Sequence, residues 1–119
     1  MLRNLFLVLF LGVACLVNAG DYTAQVLQIP DGDTIQVAHN GKSEWIRLNG
    51  VNCPENYEPY TAVATQTAVE LFKGKILTIR PHHLDGHHRM IADVFLPDGS
   101  SANFVLVRSG HCHWSHRSK

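Results

Sequence analysis

The sequence predicts a mainly β domain, five strands and two helices in the order β-β-β-α-β-β-α. Three features carry this. From Tyr22 onward, short segments rich in β-formers alternate in polarity and are bounded by turn residues. Asn40-Gly41, the strongest short hairpin signal, joins two of them. Apolar residues take helical spacing in two places, once between the third and fourth strands and once after the fifth.

The elements follow in order. Tyr22 to Ile29 forms the first strand, with Tyr22, Ala24, Val26 and Gln28 on one side, and Pro30-Asp31-Gly32 ends it. Asp33 to His39 is the second strand, and Ser43 to Leu48, beyond the Asn40-Gly41 turn, the third. Residues 49–60 read as loop. Thr61 to Lys73 reads as a helix with Ala64, Ala68, Leu71 and Phe72 in one stripe and Gly74 at its end. Lys75 to Arg80 is the fourth strand, stopped by Pro81, and His82 to Arg89 a polar loop. Met90 to Leu96 is the fifth strand. Ser101 or Asn103 caps a short helix running through Val107 and ended by Gly110. A three-strand meander, a helix and two more strands describe an OB-type five-stranded Greek-key barrel.

The first residues are different. Arg3 precedes a charge-free apolar run from Leu5 to Val17, then Val17-Asn18-Ala19 places small residues at the positions a signal peptidase reads. The run is too short for a bilayer-spanning helix, which needs about 20 apolar residues. Residues 1–19 are therefore expected to be a cleaved signal peptide, 20–119 the mature domain, and the product secreted or periplasmic without stable membrane insertion. The chain has ten acidic and ten basic residues, with Arg3 in the leader, so the mature part is near neutral. That excludes a polybasic protein that grips nucleic acid by bulk charge. In an oxidising compartment the two mature cysteines, Cys53 and Cys112, form an even pair suited to one bridge.

Three segments could carry chemistry. Pro30-Asp31-Gly32-Asp33-Thr34 places two carboxylates in a tight turn, where they can coordinate a hard cation or simply form the turn. In Ile46-Arg47-Leu48-Asn49-Gly50-Val51-Asn52-Cys53-Pro54-Glu55, an Arg inside an apolar strand must find an anion, whether a phosphate or a neighbouring carboxylate. Glu55 follows a proline at a loop mouth, where a general base could sit. In the third segment, Asp85-Gly86-His87-His88-Arg89 precedes a strand and offers a second phosphate ligand. His82, His83, His87 and His88 cluster around Asp85, and His111, His113 and His116 lie near the end. Their spacing matches no zinc-finger pattern, and they read as solvated polar segments.

Taken together and in this order, these segments resemble the staphylococcal-nuclease-like (thermonuclease) family. The matching stretches are Asp31 to Thr34, Ile46 to Glu55, Gly74-Lys75, Asp85 to Arg89, and Asp98 to Gly110 with Asn103, Leu106 and Val107. The resemblance spans residues 22–114. It implies a calcium-dependent endonuclease that hydrolyses phosphodiester bonds in DNA or RNA, single-stranded or denatured, and it names no protein partner. It implies Asp33, the side chain of Asn52 and the backbone carbonyl of Cys53 as Ca2+ ligands, Glu55 as general base, and Arg47 and Arg89 as the arginines on the scissile phosphate. Two departures from the family's pattern stand out. Asn52 occupies a carboxylate position, which removes one negative charge from the cation site. His87-His88 replaces Tyr-Gly in the turn that aims Arg89. A weakened relative that binds single-stranded nucleic acid without efficient cleavage is the alternative these departures leave open.

Overall fold

The computed structural model describes residues 19–55 and 58–115. All of the expected leader but Ala19 lies outside the described residues. Among them, no helix is long and apolar enough to cross a membrane.

Strands β1 (Tyr22–Gln28), β2 (Thr34–His39) and β3 (Lys42–Leu48) form the meander. A short β4 (Val51–Asn52) and helix α1 (Thr61–Phe72) follow, then β5 (Ile76–Leu84), β6 (Met90–Phe95), helix α2 (Ala102–Arg108) and a short β7 (His113–Trp114). The barrel closes in the order β1-β2-β3-β6-β5, while β4 and β7 make a separate two-stranded ribbon. All barrel neighbours are antiparallel except β3 and β6, which run parallel with Arg47 opposite Ile91. The predicted mainly β, five-stranded OB-type barrel with two helices is the fold observed.

Strand periodicity explains the core. Ile35 and Val37 of β2, Ile46 and Leu48 of β3, Leu77 and Ile79 of β5, and Ala92 and Val94 of β6 are fully buried and form the core. Ala64, Ala68 and Phe72 give α1 its buried stripe, and Leu106 anchors α2. Asn40 and Gly41 both take positive φ, as the hairpin requires. Ser101 caps α2, its hydroxyl accepting from the Phe104 amide at 3.2 Å. Asn103 instead turns into the barrel wall. Its Oδ1 accepts from Val94 N at 2.9 Å and its Nδ2 donates to Asn49 O at 2.9 Å. It thereby ties α2 to the turn that leads into β4.

Three boundaries depart from expectation. Proline does not stop the fourth barrel strand: β5 continues through Pro81 to Leu84, with a register shift between Pro81 and His83. A bulge of this kind absorbs the missing donor of a proline. His82 therefore stands on a strand, its Nε2 2.9 Å from Asp93 Oδ2, and the polar loop shrinks to a tight turn over 85–89. Within 49–60, Val51 and Asn52 pair with Trp114 and His113, strands too short to show a sequence period.

Candidate active site

One end of the barrel gathers the start of β2, the end of β3 and the start of β6. Thr34 is the first residue of β2 and pairs with Arg47 near the end of β3. The parallel β3–β6 pairing brings Met90, and Arg89 just before it, to the same end. Residues far apart in sequence thus converge.

The turn between β1 and β2 is shaped by Gly32. A Cβ there would lie 2.8 Å from Cys53 Sγ and 2.9 Å from Cys53 Cβ, so only glycine fits. Asp33 is consequently pressed inward and 7% exposed. Its Oδ2 accepts the Cys53 backbone N–H at 2.9 Å, and its Oδ1 accepts from the Thr34 hydroxyl at 3.3 Å. Asp31 Oδ1 accepts the Asp33 amide at 3.2 Å. Burial, then the neighbouring Asp33 charge and a hydrogen bond with its side chain, push the Asp31 carboxyl up to about 6. Two carboxylates crowded into a half-buried turn repel one another, and a cation between them would relieve that.

Arg47 is 6% exposed, although its neighbours Ile46 and Leu48 face the opposite side of β3. The cost of burying it is met by three acceptors. Nη1 donates to Leu48 O at 2.9 Å and Val51 O at 2.6 Å, and Nη2 stands 3.7 Å from Asp33 Oδ2. Arg47 therefore holds both the turn into β4 and the carboxylate of the β1–β2 turn.

Arg89 is aimed by Asp85. Asp85 Oδ1 accepts the amides of His87 at 2.8 Å and Arg89 at 2.9 Å, while Oδ2 takes Arg89 Nε at 2.8 Å. The turn needs positive φ at His88, which takes +60°. Histidine enters this left-handed region more readily than most non-glycine residues. Arg89 Nη1 then donates to Thr34 Oγ1 at 3.3 Å. The His87-His88 replacement accordingly keeps Arg89 at the Asp33–Arg47 end of the barrel.

The loop beyond β3 is pinned by a Cys53–Cys112 disulfide, Cα–Cα 4.3 Å. This is the bridge expected from the cysteine count. Asn52 is not drawn to Asp33 by any hydrogen bond; its Nδ2 lies 3.3 Å from His113 Nε2, across the β4–β7 ribbon. Glu55 is exposed on the same loop, two residues past Cys53. Its backbone is fixed at both ends: its amide donates to Glu58 Oε1 at 3.2 Å, and its carbonyl accepts from the Thr61 hydroxyl at the start of α1. The structure therefore brings Asp33, Arg47, Cys53 and Arg89 together and leaves the Glu55 carboxylate at the rim. Among the described residues no three His, Cys, Asp or Glu side chains converge as a metal cluster.

A family model described as staphylococcal nuclease homologue matches residues 45–118. The chain belongs to the staphylococcal nuclease family. An uncharacterized endonuclease of Escherichia coli O157:H7 is 34% identical over 94 residues, 79% of this chain and 61% of that protein. A thermonuclease of Staphylococcus hyicus is 44% identical over 50 residues, 42% of this chain and 30% of its own length. A micrococcal nuclease of Shigella flexneri is 25% identical over 105 residues, 82% of this chain and 60% of that protein. The chain thus spans about three fifths of the length of the Escherichia coli relative.

Within this nuclease-family domain, the structure gives roles to three residues that the sequence reading left without one. Gly32 makes room for Cys53, Thr34 links Arg89 to the Asp33 turn, and Asp85 aims Arg89; Asp31, one of the two turn carboxylates read from sequence, crowds Asp33. Asp85 carried a visible signal, an acid four residues before an Arg at a strand start. Thr34 and Gly32 carried none beyond membership of the turn, because their roles depend on partners distant in sequence.

Proposed function

We propose that the mature domain is a calcium-dependent endonuclease that hydrolyses phosphodiester bonds in DNA or RNA, acting on single-stranded or denatured substrate after export through the leader at residues 1–19. The observation that carries this reading is the pair of guanidiniums, Arg47 and Arg89, brought to one end of the barrel, where both residues neighbour Thr34 and Arg47 stands next to the Asp33 carboxylate. Two arginines beside a turn of oxygen donors suit a phosphodiester, whose transition state carries extra negative charge.

The donor chemistry fits Ca2+. Asp31 and Asp33 are crowded carboxylates in a shared turn, with the Cys53 loop pinned against them. In this reading Asp33, the Asn52 amide oxygen and the Cys53 carbonyl hold the ion, and Asp31 adds negative charge behind them. Such an ion, when bound, neutralises charge on the phosphoryl oxygens. The chain's own residues do the rest. Arg47 and Arg89 hold the phosphate. Asp85 and Thr34 keep the Arg89 fork oriented. Glu55 takes a proton from water as the water oxygen bonds to phosphorus and the bond to the leaving ester oxygen breaks. Its rim position gives the carboxylate access to solvent water.

Asn52 supports a second reading, a weakened relative that binds single-stranded nucleic acid and cleaves it poorly. Its side chain contacts His113 and carries no charge to offer a cation. Glu55→Gln separates the two. The nuclease reading predicts a fall in turnover of ~10²–10⁴ with substrate affinity nearly unchanged. Equal, slow turnover in both proteins would remove Glu55 from the mechanism and favour the binder.

A further inference from the structure

Exposed apolar residues are scattered over this domain, as on most proteins. Phe104 and Trp114 differ from the rest. They are 49% and 52% exposed, yet they touch each other, ring centroids 6.4 Å apart and planes tilted by 31°. The Arg108 guanidinium lies over the Phe104 ring at 5.8 Å. Trp114 cannot fold inward, because its register opposite Val51 fixes its backbone and its ring lies over Gly50. An ideal Cβ at Gly50 would lie 3.5 Å from Trp114 Cε3.

The pair is continuous with the candidate active site. Trp114 pairs with Val51, whose carbonyl accepts from Arg47 Nη1. His113, beside Trp114, contacts Asn52, and Cys53 follows. The charge pattern also picks out this region. Every Asp and Glu of the chain lies at or before Asp98, so residues 99–119 contain Arg108, Arg117 and Lys119 with no carboxylate. Among the described residues that follow Asp98, Arg108 is the one Arg or Lys and no Asp or Glu occurs, so the two exposed rings have a basic side chain beside them and no acidic one from their own segment.

We propose that Phe104 and Trp114, with Arg108, form a base-stacking platform for single-stranded nucleic acid, which receives nucleotides flanking the phosphate held by Arg47 and Arg89. Aromatic faces with a nearby arginine bind unpaired bases of any identity, and the phosphates between them favour basic surroundings. A duplex keeps its bases stacked on one another and offers no free face. The platform rests on the nuclease reading for its position along the substrate and gives that site its selectivity for unpaired strands.

The test measures binding rather than cleavage, in chelator, so that it does not depend on catalysis. A single-stranded oligonucleotide is compared with an abasic strand of the same length, which keeps the phosphates and loses the bases. The full mature protein should bind the intact strand about tenfold or more tightly than the abasic one, the range expected for one or two stacked bases. In a Trp45→Phe background, which leaves Trp114 as the only tryptophan, the intact strand should quench the fluorescence and the abasic strand should not. Phe104→Ala, a change at an exposed position, should lower affinity for the intact strand and leave affinity for the abasic strand as it was. Equal affinity of the native protein for the two strands overturns the platform. So does a change in sedimentation on Phe104→Ala without a change in oligonucleotide binding, which assigns the patch to a protein interface. Absence of calcium-dependent cleavage would defeat the nuclease reading while leaving these binding results to stand or fall alone.

Discussion

Arg47 Nη2 stands 3.7 Å from Asp33 Oδ2, both side chains almost wholly buried, at the end of the barrel where β2 begins and β3 ends. The relation joins structure to chemistry. Asp33 offsets the cost of keeping a guanidinium in the barrel wall, and the same guanidinium holds two carbonyls of the chain leading to Cys53 and Glu55. Arg47 therefore supports the fold in addition to its proposed role on the phosphate, whereas Arg89 stands on a surface turn.

The two arginines should consequently behave differently on substitution. Arg47→Ala should lose activity and also destabilise the fold by about 2–4 kcal/mol, since Asp33 would be left buried without its counter-charge. Arg89→Ala should lose activity with a smaller loss of stability, and Arg89→Lys should restore little, because an ammonium cannot form the planar fork. Denaturant titration and cleavage assays on each variant decide this. Full activity in Arg89→Lys would show that the turn does not aim this residue at substrate.

Acid should reveal the Asp85 turn. Burial would raise the Asp85 carboxyl, but the amides of Arg89 and His87 and the Arg89 guanidinium outweigh it and hold the group below the ordinary carboxylate range. A lowered folded pKa means that the folded state binds fewer protons. The stabilisation is then present above about pH 4 and lost as pH falls through the folded value. Asp85→Asn should lower Tm at pH 7 and flatten the decline of Tm below about pH 4. Parallel Tm curves for the two proteins would exclude this contribution.

The Cys53–Cys112 bridge closes a separation of 59 residues, which in the chain-entropy model contributes about 4 kcal/mol. It also fixes the residue whose amide holds Asp33. Cys112→Ser should therefore lower Tm and reduce activity together, and reductant should do the same to the native protein. A reduced protein with native Tm and native turnover would contradict both roles.

The barrel was legible in the sequence because its strands alternate and its turns carry their own residues, as at Asn40-Gly41 and Pro30-Asp31-Gly32. The end of β5 was not, because Pro81 is a stop signal in isolation and the bulge that accommodates it, an extra residue at His82, exists only in the pairing with β6. The β4–β7 ribbon was hidden for a similar reason. Two residues show no period, and their pairing comes from chain segments more than sixty residues apart. The candidate site was legible as motifs, through the family resemblance. Its wiring was not: the Asp33–Cys53 hydrogen bond, the Arg89–Thr34 contact and the packing of Gly32 on Cys53 are tertiary facts, and Asn52 gave no sign that it faces His113.

Asn52 is also where the proposed function can be tested most directly. A cation site with an amide in place of a carboxylate carries one negative charge fewer, and calcium affinity follows ligand charge. The deciding measurement is the rate of cleavage of denatured DNA against calcium concentration, for the purified mature domain and for Asn52→Asp. A calcium-dependent nuclease gives a saturating curve that chelator abolishes, and Asn52→Asp shifts its midpoint to lower calcium. Cleavage that is absent at every calcium concentration in both proteins, or that persists unchanged in chelator, would contradict the account.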